Sequence, residues 1–299
     1  MSWRTVVVSS NAKLDYQIGY MVVRGEKTTK IHLNEIGMLI VESTAVSMTS
    51  YLLSELMKNK IKVVFCDEKR NPCSELVSYY GSHDTSSKIR KQIEWTKDDK
   101  DHIWTEIVSE KIKQQALMLQ RYQKEEANML FEYMEEVEFG DITNREGHAA
   151  KVYFNTLFGK KFTRTDENPI NAALNYGYGI ILSIFNREIV SSGYLTQIGL
   201  FHDNMFNQFN LSSDLMEPFR PLVDQLVVEL KPEKFEDSSN GTYLGSAEKR
   251  KMLELLNKEV EICGKMEVVT NAIKIYCRSV FDALNDRDIS LIRFYYNEL

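Results

Sequence analysis

The sequence predicts an α+β chain in which a small N-terminal β-rich domain, residues 1–80, precedes a larger all-α domain, residues 81–299. Three observations carry this. Short runs rich in β-branched residues recur through the first eighty positions, a polar turn-forming stretch follows them, and beyond it apolar residues recur at helical spacing.

The expected strands cover 5–8, 19–23, 30–33, 38–41 and 61–65, bounded by Asn11, Gly25, Asn34 and Gly37. One helix interrupts them, with Ser47 or Thr49 available as its cap and Tyr51, Leu52, Glu55, Leu56 and Met57 at helical spacing. Residues 67–87 gather Asp, Asn, Pro, Gly and Ser, and the domain boundary is placed there. Helices are then expected over 102–125, 145–158, 169–190, 222–229, 248–263 and 268–285, with a loop at 238–241. The basic runs at 88–91 and 249–251 read as solvent-facing charge.

Composition narrows the functional classes. With 43% hydrophobic and 27% charged residues the chain can bury a full core. No apolar run reaches 18 residues, and the N-terminus has no signal-peptide pattern, so no membrane association and a cytoplasmic location are expected. Cys66, Cys73, Cys263 and Cys277 share no zinc-type spacing and read as reduced thiols. Net charge is −6, which argues against a uniformly basic nucleic-acid binder. The first 80 residues hold 10 basic and 8 acidic side chains, so the excess of acid lies in the helical part.

Three segments are unlike scaffold. Glu146 opens the apolar helix at 145–158, His202 sits in the hydrophobic run Gly199-Leu200-Phe201-His202, and Asp214 and Glu217 lie three apart beside Pro218 and Pro221. Taken singly, these are a helix-start glutamate, a structural histidine and a charged helix N-terminus. Taken together, two carboxylates and an imidazole suit a hard divalent cation, Mg²⁺ or Mn²⁺. Residues 147–165 carry no acidic side chain but include Lys151, Lys160, Lys161 and Arg164, a candidate phosphate-binding track or a solvated basic loop. Arg220 can clamp a phosphate or orient Glu217. Asn171 is expected as a buried structural amide.

Four runs occur in order: Arg145-Glu146-Gly147 through Tyr153-Phe154; Asn168-Pro169-Ile170-Asn171-Ala172-Ala173-Leu174-Asn175-Tyr176-Gly177-Tyr178-Gly179; Gly199-Leu200-Phe201-His202; and Asp214-Leu215-Met216-Glu217-Pro218-Phe219-Arg220-Pro221. With Ile31-His32-Leu33-Asn34-Glu35-Ile36 and Val63-Val64-Phe65-Cys66-Asp67, their order and wording resemble the Cas-one family of CRISPR spacer-acquisition integrases, the type II-A branch in particular. The resemblance spans nearly the whole chain. It implies metal-binding and catalytic roles for Glu146, His202 and Glu217, with Asp214 matching an additional acidic position of some members. It also implies a homodimer, with the N-terminal domain as its dimerisation part, and assembly with the small ferredoxin-like second Cas protein and other adaptation proteins. The implied activity is insertion of new spacer DNA into the repeat array by attack of a 3′-hydroxyl on a phosphodiester, on double-stranded DNA as both spacer precursor and target. A stand-alone nuclease using water and a non-catalytic nucleic-acid scaffold are the competing readings.

Overall fold

The computed structural model describes residues 4–68, 70–77, 82–231 and 244–297, and the chain divides into two compact units, Met1–Gly81 and Ser82–Leu299. The boundary expected after residue 80 and the loop expected at 238–241 both lie outside the described residues.

The first unit runs β1 (Arg4–Val8), β2 (Ala12–Gln17), β3 (Tyr20–Arg24), β4 (Thr28–His32), β5 (Ile36–Val41), β6 (Val46–Met48), α1 (Ser50–Lys58), β7 (Lys62–Cys66) and β8 (Pro72–Leu76). These strands form two four-stranded sheets, ordered β1-β5-β7-β8 and β4-β3-β2-β6. The first is parallel from β1 to β7, with β8 antiparallel at its edge. The β2–β3 hairpin turns through Ile18 and Gly19, whose φ angles of 45° and 82° match a two-residue turn of the primed kind. Thr49 caps α1, its hydroxyl accepting from the Leu52 amide at 3.3 Å. Leu14, Met21, Ile36, Leu39, Leu52, Leu56 and Val63 meet in the core without solvent access. Strands β2, β6 and β8 add to the five expected. β2 escapes a β-branched search because it alternates Ala12 and Leu14 inward with polar residues and contains no Val, Ile or Thr. β8 is an edge strand that starts at Pro72, a position where a missing N–H is tolerated.

The second unit runs α2 (Thr85–Glu94), α3 (Lys97–Arg121), α4 (Glu126–Glu135), α5 (Arg145–Phe158), α6 (Pro169–Ser191), α7 (Asn210–Leu215), α8 (Arg220–Leu230), α9 (Ser246–Glu254), β9 (Glu259–Ile262), β10 (Lys265–Val268), α10 (Val269–Asp286) and β11 (Tyr295–Tyr296). Helix α3 is its axis. A reciprocal cap at Thr96 and Asp99 starts it, and Ile103, Trp104, Ile107, Val108, Ile112, Ala116 and Leu119 are buried along it. Helices α4, α5, α8 and α10 pack against it.

The helix expected over 248–263 ends instead at Glu254, and β9 begins at Glu259. Here Val260 and Ile262 point inward between Glu259 and Glu261, a period of two. Cys263 and Gly264, with φ of 54° and 71°, then turn the chain into β10. A three-stranded ribbon, β10-β9-β11, therefore accompanies the helices. Lys249, expected in solvent, is 2% exposed and lies over the Tyr176 ring at 5.3 Å. None of the four cysteines forms a disulfide. Among the described residues no helix is long and apolar enough to cross a membrane.

One buried acid ties three helices together. Asp224 of α8, with no solvent access, accepts hydrogen bonds from Tyr153 of α5 at 3.0 Å and from Tyr178 of α6. Burial pushes its carboxyl up to about 6 from an ordinary 3.8, against the pull of both tyrosines. Between those two values the folded protein holds a proton that the unfolded chain has released, so stability falls as pH rises through this window. The gap corresponds to about 3 kcal/mol. Asp224→Asn keeps an acceptor for one tyrosine, offers the other an amide N–H to accept, and cannot ionise. Urea unfolding at about pH 4 and 7 should show wild type losing up to about 3 kcal/mol more than the variant over that interval; equal losses would show that Asp224 titrates normally.

Candidate active site

Glu146 is fixed by the way α5 starts. Asn144, with φ 54° and ψ 46°, is in the left-handed region and caps the helix, accepting from the Gly147 amide at 3.3 Å. Asp141 accepts from the amides of Arg145 at 2.7 Å and Glu146 at 3.2 Å. A Cβ at Gly147 would come within 2.8 Å of the Asn144 side chain, so the cap requires glycine there. These contacts hold Glu146 in the first turn, where the helix dipole favours a carboxylate.

His202 lies beyond α6 on the loop leading to α7. Its Nδ1 meets Asp214 Oδ1 at 2.5 Å, and Asp214 also accepts from the amides of Leu200 at 2.6 Å, Phe201 at 3.2 Å and His202 at 3.1 Å. Asp214 is wholly buried, while the His202 side chain is 39% exposed. One carboxylate therefore shapes the loop and orients the ring, leaving Nε2 as the outward nitrogen. Gly199 makes this possible, since a Cβ there would stand 2.3 Å from the His202 carbonyl oxygen and 2.7 Å from Asp214 Oδ2. Phe201 stacks on buried Trp104 of α3 with centroids 4.6 Å apart and planes 3° from parallel. The hydrogen bond to Asp214 raises the His202 pKa; burial opposes this, and the charges of Asp214, Glu217 and Glu146 reinforce it. Burial pushes the Asp214 carboxyl up, against the pull of His202.

Glu217 stands where the chain kinks between α7 and α8, in a 3₁₀ turn of Glu217, Pro218 and Phe219. It is 2% exposed. Its Oε1 pairs with Arg220 Nη2 at 2.9 Å, and its Oε2 contacts the ammonium of Lys111. The same ammonium, buried on α3, bonds Glu146 Oε1 at 2.5 Å. Lys111 thus stands between the carboxylates of Glu146 and Glu217. Burial lowers its pKa and raises that of Glu217, but the opposite charges outweigh burial on both, so the net shifts favour the charged forms. Glu217 Oε2 is buried without a properly aligned hydrogen-bond donor, its contact with Lys111 being that of an ion pair.

The structure thus brings Glu146, His202 and Glu217 within electrostatic reach of one another, and it turns Asp214 away from Glu217, onto His202. Sequence reasoning passed over Lys111. Its signal was a lysine on the apolar stripe of α3, where Ile107, Val108 and Ile112 are also buried. Among the described residues, no three His, Cys, Asp or Glu side chains are gathered for a common ion, because Lys111 sets the carboxylate spacing. The donor types nevertheless fit a hard divalent ion: two carboxylates, an imidazole with one nitrogen anchored, and a buried carboxylate oxygen lacking an aligned donor.

The basic candidates divide. Lys151, Lys160 and Lys161 are exposed. Arg164 is instead built into the fold, its guanidinium donating to Asn171 Oδ1 and to Asn175 Oδ1 at 2.8 Å and lying over the Tyr178 ring at 5.3 Å. Asn171 donates to the carbonyls of Thr163 at 2.7 Å and Asp166 at 2.9 Å, so it locks the turn before α6. Arg220 orients Glu217 and also lies over the Tyr178 ring, 4.8 Å from its centroid.

Residues 5–258 match the model of the family described as CRISPR associated protein Cas1. The chain belongs to the Cas1 family. It is 36% identical over 233 residues to the CRISPR-associated endonuclease Cas1 of Neisseria meningitidis serogroup C, covering 77% of this chain and 76% of that protein. It is 25% identical over 285 residues to a CRISPR-associated endonuclease Cas1 of Francisella tularensis subsp. novicida, covering 88% and 87%. Among solved structures, a CAS1 protein from Thermotoga maritima aligns with a TM-score of 0.78 at 19% identity, over 94% of this chain and 97% of that one. A casposase bound to integration product aligns at 0.76 and 19%, over 96% and 91%. A Cas6-RT-Cas1–Cas2 complex chain aligns at 0.75 and 18%, over 99% of this chain and 36% of that longer one. At such identities the structural likenesses establish this Cas1 chain's fold.

The central cation makes a test independent of activity. Lys111→Met leaves half-buried Glu146 without its cation and buried Glu217 with Arg220 alone, which should destabilise the protein in EDTA by about 3 kcal/mol. Adding Glu217→Gln should recover part of the loss. Urea midpoints for the single and double variants measure this coupling, and additive losses would show that the pair is not energetically linked.

Proposed function

We propose that this Cas1 chain is the integrase of CRISPR adaptation, a divalent-metal-dependent DNA strand transferase and endonuclease. The observation that carries the reading is that Lys111 draws Glu146 and Glu217 together within electrostatic reach of the Asp214-anchored His202, in a chain whose curated relatives are named endonucleases. In this reading Glu146, His202 and Glu217 hold Mg²⁺ or Mn²⁺, with Asp214 as the group that orients His202. The bound ion would polarise the scissile phosphodiester and lower the pKa of the attacking hydroxyl.

The chain's own residues do the rest. Asp214 anchors Nδ1 of His202 and presents Nε2 outward as the ring's one lone pair for the ion, so the proton of the incoming 3′-hydroxyl passes to solvent. The new oxygen–phosphorus bond replaces the target's bond to its own 3′ oxygen, which leaves as a hydroxyl after receiving a proton. One phosphodiester is exchanged for another, so no energy-supplying cofactor is required. With water as nucleophile the same site nicks. Arg220 keeps Glu217 charged and in place. The reading includes a homodimer paired through the N-terminal unit, assembly with the small second protein Cas2, double-stranded spacer and repeat DNA as substrates, and the type II-A branch on the wording of the four motifs.

Joining of a labelled 3′-hydroxyl end to a second duplex is the decisive assay. Glu146→Gln and His202→Ala should each lower it at least about 100-fold in protein that is still folded at the assay temperature, as its unfolding midpoint reports. EDTA should abolish joining and Mn²⁺ or Mg²⁺ should restore it. Joining that survives both variants and exhaustive chelation would overturn the assignment. Release of nicked product without joining would favour the stand-alone nuclease.

DNA affinity should reside in local patches, given a net charge of −6. Replacing Lys151, Lys160 and Lys161 by Gln should flatten the slope of log affinity against log salt, by up to about 0.9 for each lysine that meets a phosphate. Arg164 is left in place because it braces α6. An unchanged slope would take the 147–165 segment out of the DNA path.

A further inference from the structure

The loop between His202 and α7 exposes two large apolar side chains, Met205 at 86% and Phe206 at 88%. The loop is braced. Thr196 Oγ1 donates to the Gln208 carbonyl at 2.8 Å, the Leu211 amide to the Thr196 carbonyl at 2.9 Å, and Asn210 Nδ2 to the carbonyls of Gln197 at 3.0 Å and Asn204 at 3.1 Å. At its tip the Asn207 amide donates to the Asn204 carbonyl at 3.0 Å, closing a β-turn, and the Phe206 amide donates to Asn204 Oδ1 at 2.9 Å. Met205 and Phe206 are the two central residues of that turn. The backbone thus directs both side chains outward instead of letting them fold back on the protein.

What could cover them is limited by chemistry. Two side chains at a turn offer a few hundred Å² at most, well short of the roughly 800 Å² per partner of a stable protein interface. Asp203 is the one charged group between residues 195 and 213 besides His202, so the loop has no cation with which to grip phosphates. A thin aromatic and a flexible thioether suit the gap between base pairs, where such wedges part a stacked step. They follow His202 by three and four residues, so chain length alone keeps their backbone within about 14 Å of the histidine proposed to act on the phosphodiester.

We propose that Met205 and Phe206 form a wedge that inserts between bases of the target duplex next to the joining site, unstacking one step so that the scissile phosphate is exposed to His202. This rests on the reading of His202 as part of a DNA-joining site. The wedge is a positioning device and takes no part in bond exchange.

The test uses the full chain with its assembly partner and duplexes carrying single 2-aminopurine bases at successive positions, the incoming strand being 3′-blocked so that no joining occurs. Wild type should raise 2-aminopurine fluorescence several-fold at one step and leave the others unchanged. The Met205→Ala/Phe206→Ala variant should lose that rise while keeping the wild-type salt slope of binding, and Phe206→Trp should restore it. Ile18→Ala, at a site 89% exposed in the other unit, should behave as wild type. With an unblocked strand, the double variant should join at least tenfold more slowly. Equal fluorescence for wild type and double variant, or no bound state at all, overturns the wedge. So does a double variant that changes oligomeric state or Cas2 binding instead of base stacking, which would make the tip a protein contact. A localised rise in a protein that never joins DNA supports the wedge while overturning the integrase reading, so the two can fail separately.

Discussion

A buried ammonium, Lys111, with a carboxylate from each side closing on it, is the interaction around which the C-terminal unit is organised. An unpaired lysine on the dry face of α3 would be strongly unfavourable, so the helix tolerates it only if counter-charges arrive from elsewhere in the chain. Glu146 comes from the start of α5 and Glu217 from the kink before α8, 71 residues later. The pairing therefore does more than neutralise charge. It fixes the register of two distant segments against the same point on α3, and any packing that moves one of them leaves a bare charge in the interior.

Around that centre the polar side chains are spent on backbone. Asp141 and Asn144 satisfy the first amides of α5, and Asp214 satisfies three successive amides of the His202 loop. Each of these elements would otherwise expose unpaired donors in a half-buried site. The prolines act in the same direction: Pro218 and Pro221 end one helix and begin the next without losing a needed donor, which turns Glu217 inward and Asp214 toward His202. Reacting groups thus sit on short irregular segments, while the long helices carry the rigidity.

Much of this was legible in the amino-acid order. The division into a β-rich part and a helical part follows from β-branched runs giving way to helical spacing, and Glu146, His202 and Glu217 stood out as charges in apolar surroundings. Other features lay beyond such reading for physical reasons. Lys111 looks like one more lysine on a charged helix until its neighbours are known, since spacing reports the face of a residue but not what lies opposite. Asp214 and Glu217 lie three apart, a spacing that shares a face in a regular helix, and the 3₁₀ turn between α7 and α8 separates them. The β9–β10 hairpin was masked because four alternating residues carry less signal than the helical pattern on either side. Arg164 resembled a phosphate ligand by composition, whereas its bonds to Asn171 and Asn175 make it a brace.

The Asp214 carboxylate addresses main-chain amides at three consecutive positions, and amides are present whatever side chain is attached. The placement of the His202 ring is thereby decoupled from the identity of residues 200 and 201, apart from the stacking of Phe201 on Trp104. Mutational latitude in this loop should accordingly be uneven. Position 214 has almost none, position 199 admits only glycine, and position 200 can drift among apolar residues without disturbing the imidazole. A scaffold of this sort lets the lip of a site change its character over time while the geometry beneath it stays fixed.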